Sequence, residues 1–110
     1  MLCCLYRMNI QEIHIHDSVI LRVIEDTEND VLLFEVDYPE DWDSNIFVKK
    51  VLKFTDVLNY QVCEGPFLGS PTMLSYSAQS EASGRTALKI ETTAGYRELS
   101  YTEVELCSAT

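Results

Sequence analysis

Apolar residues along most of this chain recur with a period of two, the spacing of a strand with one buried face. Val19, Leu21 and Val23 alternate with Ile20, Arg22 and Ile24, so this stretch reads as a strand covered on both faces over part of its length. The polar run Glu25-Asp26-Thr27-Glu28-Asn29-Asp30 marks a turn. Leu32, Phe34, Val36 and Tyr38 then alternate with Leu33, Glu35 and Asp37 and complete a hairpin. Pro39 is expected to end it, because proline brings no ladder donor. Pro39 to Asn45 reads as an acidic loop around Trp42.

Residues 46–54 fit two periods. Ile46, Val48, Leu52 and Phe54 suit a strand in which Lys50 is out of place. Phe47, Val51, Phe54 and Leu58 suit a helix capped by Ser44 or Asn45. The β-branched and aromatic content favours the strand. Leu58, Tyr60 and Val62 alternate with Asn59, Gln61 and Cys63 in a further strand, and the Gly- and Pro-containing run from Glu64 to Pro71 reads as a loop. Leu74, Tyr76 and Ala78 alternate with serines, and Leu88 and Ile90 with Lys89 and Glu91. Ser83-Gly84 and Ala94-Gly95 supply tight turns. From Tyr96 to Cys107 the phase changes: Leu99 and Tyr101 lie on one face, Val104 and Leu106 on the other, and a β-bulge near Thr102 would reconcile them. About seven strands with turn signals every ~10 residues predict an all-β fold, an antiparallel β-sandwich or partly open barrel.

The length of 110 residues fits a single domain, with residues 1–7 a candidate disordered arm and Met8 a candidate start, since the regular pattern begins just after it. The composition, 46% hydrophobic and 24% charged, is that of a globular chain. No apolar run approaches the ~20 residues that a membrane-spanning helix needs.

Charge changes the picture more. The formal net charge is −10, and residues 1–44 hold two bases (Arg7, Arg22) against eleven acids. Such a surface repels phosphate backbones and anionic lipid, which argues against nucleic-acid and membrane partners. It attracts a basic protein and steers its approach. The four cysteines, Cys3, Cys4, Cys63 and Cys107, lack the C-x-x-C spacing of a zinc or redox site. No export signal is visible, so reduced thiols in a cytoplasmic protein are expected.

Candidate chemistry is sparse. His14 and His16, two apart, would project to one face of a strand, and with Asp17 they form a candidate metal-binding or ligand-binding set. As plain polar residues they would flank the first hairpin, with Asp17 and Ser18 in a local turn. Glu35, Asp37, Glu40, Asp41 and Asp43 surround Trp42 and form a candidate binding cluster, in which an aromatic anchor sits within an acidic rim. Alternatively Trp42 folds onto the core and the acids are solvated. The spacing lacks the glycine and ligand pattern of an EF-hand. No nucleophile elbow, phosphate-binding loop or dinucleotide fingerprint occurs. No catalytic residue and no cofactor are expected.

The stretch His16-Asp17-Ser18-Val19-Ile20, the hairpin into Leu33-Phe34-Glu35-Val36-Asp37-Tyr38, and the later Phe54-Thr55-Asp56-Val57 resemble small β-rich bacterial proteins grouped with the immunity proteins of polymorphic-toxin systems. The resemblance covers roughly residues 14–60 and rests on hydrophobic spacing plus a short His-Asp start. It implies a cytoplasmic, non-catalytic protein that binds and blocks a toxin, often one with a basic active-site surface. The expectation is thus a protein-binding domain with an acidic surface. The alternatives are a metal- or ligand-binding domain centred on His14 and His16, and a homodimer or larger homo-oligomer joined through strand edges.

Overall fold

The computed structural model describes residues 2–3, 9–41 and 43–109. Among them are nine strands and one short 3-10 turn: β1 (Leu2–Cys3), the turn Ile10–Glu12, β2 (Val19–Asp26), β3 (Val31–Asp41), β4 (Ile46–Thr55), β5 (Leu58–Glu64), β6 (Met73–Ser80), β7 (Thr86–Thr92), β8 (Gly95–Tyr101) and β9 (Glu103–Ala109). They form two antiparallel sheets, ordered β1-β9-β4-β3-β2 and β5-β8-β7-β6. The sheets face each other as an open sandwich, as the period-two pattern leads one to expect, and do not close into a barrel. None of the described segments is a helix long and apolar enough to cross a membrane.

Alternation determines the core. Leu32, Phe34 and Val36 of β3 and Leu52 and Phe54 of β4 face Leu88 and Ile90 of β7 and Leu99 and Tyr101 of β8. Phe34 meets Phe54 edge-on at 5.6 Å between ring centroids and Tyr60 at 6.0 Å, and Phe54 packs on Tyr101 at 5.1 Å. Ile10, Ile13 and Ile15, from the segment before β2, join the same cluster.

The ambiguous residues 46–54 are strand: β4 pairs with β3 on one side and β9 on the other. Burying both Val51 and Leu52 next to Phe54 satisfies a two-sided strand, and no helix phase is needed. Pro39 does not end β3, which continues to Asp41 with Pro39 opposite Phe47. The reason is local. The β2 partners of β3 stop at the Val19–Asp37 pair, so among the described residues β3 pairs only with β4 beyond Asp37, and the missing N–H costs no ladder bond to β2.

Two departures from simple alternation have distinct causes. In β2, Ile20 is buried and Val23 packs on the core three residues later. The ladder slips between Ile20 and Arg22, and Leu21 is left exposed. The two-faced appearance of this strand is therefore a bulge. At Thr102 the expected bulge is instead a change of sheet. Tyr101 ends β8 in one sheet and Glu103 begins β9 in the other, so the phase reverses because the core lies on the opposite side of each. Next to it β4 passes into β5 through Asp56 and Val57. The Thr102 amide donates to the Thr55 carbonyl (3.0 Å) and its hydroxyl donates to the Asp56 carboxylate (3.1 Å), tying the two crossings together. Asp56 has φ 57°, and the Arg85 guanidinium donates to its carbonyl.

The opposite corner is stitched by backbone. The Asp17 amide donates to the Met73 carbonyl (2.8 Å), the Met73 amide to the Ser18 carbonyl (2.8 Å) and the Ile20 amide to the Pro71 carbonyl (2.9 Å). These bonds join the start of β2 to the start of β6.

Cys107 is buried on β9 and disulfide-bonded, which corrects the expectation of four reduced thiols. Pairing of β1 with β9 places Cys3 opposite Ser108, so the fold brings the cysteine-bearing ends of the sequence together, a proximity that local spacing does not reveal. Cys63 is a free, exposed thiol.

Candidate binding surface

The acids singled out in sequence separate into three settings. Glu35 and Asp37 alternate with the core residues Phe34 and Val36, so they project from the outer face of the five-stranded sheet. There the Arg22 guanidinium grips Glu35 with two bonds, of 2.6 and 3.2 Å, and Asp37 stands opposite Lys49. Glu40 lies 3.1 Å from the Lys50 ammonium, which also sits 5.4 Å from the centre of the Tyr38 ring. That contact explains the lysine that looked out of place: Lys50 is paired at the end of the sandwich. The acidic first part of the chain is thus partly neutralised by β4, whose Lys49, Lys50 and Lys53 run alongside β3.

Asp41 and Asp43 lie at the tip of the β3–β4 hairpin and are exposed. The Asp41 carboxylate accepts the amides of Asp43 (3.1 Å) and Ser44 (3.3 Å), so it shapes the turn as well as charging it. Asn45, at φ 54°, completes the reversal in a conformation that asparagine tolerates. Trp42 lies outside the described residues. Sequence reading missed two apolar neighbours of this tip. Ile46 and Phe47, assigned to strand and helix patterns respectively, are 48% and 39% exposed. The tip therefore presents apolar side chains beside two carboxylates, the combination that the sequence suggested for Trp42. No sequence signal marked them: among the described residues β9 pairs with β4 only from Lys50 onward, so Ile46 and Phe47 have β3 alone beside them.

His14, His16 and Asp17 are in the segment between the 3-10 turn and β2, not on a strand. Both histidines are exposed while Ile13 and Ile15 are buried, so the segment alternates without pairing. His16 Nδ1 hydrogen-bonds the Leu74 carbonyl and its Nε2 lies 3.5 Å from the Asp17 carboxylate. The His14 amide donates to the Tyr38 hydroxyl (2.9 Å), and the buried Ser18 hydroxyl donates to the His14 carbonyl (3.1 Å). Among the described residues no three His, Cys, Asp or Glu side chains come together as a metal-binding group.

A second polar feature, not foreseen, lies half-buried at the β5 edge of the sandwich. The Arg97 guanidinium makes two 2.8 Å bonds to the Glu64 carboxylate, and both side chains are only 12% exposed. Arg97 also donates to the Tyr60 hydroxyl (3.2 Å) and lies 5.9 Å from the centre of the Phe34 ring. The Thr92 hydroxyl donates to Glu64 (3.0 Å) and accepts the amides of Ala94 and Gly95. Hydrogen bonding to Arg97 holds the Glu64 carboxyl below the usual range, while burial pushes the Tyr60 hydroxyl up. These groups lie 33 residues apart, and only the core phase of Arg97, two residues before Leu99, hinted at the contact.

Comparison with protein-family models, curated proteins and solved structures finds no match for this chain.

Proposed function

We propose that this protein is a non-catalytic protein-binding domain that captures a basic partner at the acidic tip of its β3–β4 hairpin, in the manner of an immunity-type inhibitor of a basic toxin or enzyme. The observation that carries it is the exposure of Ile46 and Phe47 beside Asp41 and Asp43. Carboxylates steer a cationic surface toward the tip, and burial of the apolar pair then slows its departure. Glu40 and Lys50 form the paired flank of this surface.

The test is capture of partners from the native host at low and high salt, with the partner identified and the complex rebuilt from purified components. Wild-type protein is expected to hold one basic partner that high salt releases. The variant Asp41→Asn/Asp43→Lys/Phe47→Ser keeps a turn-forming side chain at residue 41 and is expected to weaken binding at least roughly tenfold with an unchanged fold. Equal binding by this variant would sink the proposal.

A further inference from the structure

At the far end of β3 from the hairpin tip, β5 is the terminal strand of its sheet and, among the described residues, pairs only with β8. The edges of β2 and β6 differ from it: β6 beyond Leu74 is open but carries serines, alanine and glutamine in place of exposed branched side chains. The start of β2 is bonded to the start of β6, His16 occupies the Leu74 carbonyl on β6, and the rest of β2 carries Arg22, Glu25 and Asp26. β5 has no lysine, arginine or proline, and its one acid, Glu64, turns inward to Arg97. Its Leu58 and Val62 are 56% and 50% exposed. Such an edge offers unpaired backbone groups to another extended chain.

We infer that β5 accepts an extended, lysine- or arginine-bearing segment of another protein as an added strand. Charge selects this occupant. A crevice of about 230 Å³ separates the start of β5 from the β2–β3 turn. Val57, Leu58 and Tyr60 supply apolar wall, and Glu25, Asp26 and Asp30 supply carboxylates. A long cationic side chain lays its methylene stem on the former and its head among the latter. The ladder irregularity between Leu58 and Gln61, with Asn59 at φ 57°, lies where this crevice opens and leaves Gln61 to Glu64 in regular register. A second copy of this chain would present its own β5, which has no cation for the crevice. The inference does not depend on the hairpin tip, which lies at the other end of β3.

The probe is a ten-residue peptide alternating valine and lysine, compared with one alternating valine and glutamate. Binding is followed by titration, and its location by amide hydrogen exchange. The lysine peptide is expected to bind and to slow exchange in Leu58 to Glu64, whereas the glutamate peptide does not. Glu25→Lys and Val62→Lys, each checked for an unchanged circular dichroism spectrum, are expected to weaken binding roughly five- to tenfold. The hairpin-tip variant is expected to bind the peptide as wild type does, which separates failure here from failure of the proposed function. Equal binding of both peptides, protection at the tip instead of β5, or no binding at millimolar peptide would overturn the inference. So would self-association that protects β5 without peptide, which would assign the edge to a second copy.

Discussion

The Glu64–Arg97 pair is the most consequential contact between single residues. The pair is half-buried, so removing one member leaves the other charge partly desolvated without its partner, at about 1–3 kcal/mol. Arg97→Ala is therefore expected to destabilise by about 2 kcal/mol, measured by urea unfolding at neutral pH. Glu64 carries the pH dependence. Its folded carboxyl titrates below the ordinary value of 4.5, so its contribution is present above that pH and is lost as pH falls through the folded value. Wild type and Glu64→Gln should thus differ in stability at pH 7, and the difference should shrink as pH falls below 4.5 and vanish below the folded value. A second test concerns Gly95. At φ 154° a Cβ there would lie 2.2 Å from the Cys63 carbonyl oxygen. Gly95→Ala is expected to lower stability by about 2 kcal/mol through backbone strain and displacement of β5.

Among the elements, the hairpins and the all-β class follow from alternation, because side chains in strands have no choice but to alternate faces. Three features escaped the pattern, each where a long-range neighbour decides the outcome. Pro39 stays in β3 because β2 has already ended; Leu21 is extruded by a bulge; Thr102 changes sheet. A single strand with a bulge and two strands in different sheets leave the same phase reversal in sequence, so Tyr96 to Cys107 could not be resolved without the partners. The candidate binding cluster was legible as an acidic stretch, but its division was not, since it depends on Arg22, Lys49 and Lys50 finding particular acids across the ladder. The crossing at Asp56 is testable at this scale. Its φ of 57° suits Asp, Asn or Gly and strains a β-branched residue. Asp56→Val is expected to cost about 2 kcal/mol and Asp56→Gly less than about 1 kcal/mol, compared by thermal unfolding.

Over the whole molecule, the net charge of −10 remains after these local pairings and opposes compaction. Raising ionic strength from about 0.02 to 0.5 M screens that repulsion and is expected to raise the melting temperature by a few degrees, read by differential scanning calorimetry. The sandwich also depends on its chain ends, since β1 pairs with β9 and Cys107 is oxidised. Reduction of the disulfide is expected to lower unfolding free energy by about 2–4 kcal/mol. The position of β9 has a further effect during synthesis. It is the final strand of the fold, yet it lies between β1 and β4 and continues the bend that joins the two sheets. While the chain is still being made, β4 has a bare apolar flank with Val51 and Leu52 awaiting Cys107 and Leu106. A chain without residues 103–109 therefore leaves its larger sheet open and this apolar flank bare, the kind of surface through which incomplete chains aggregate.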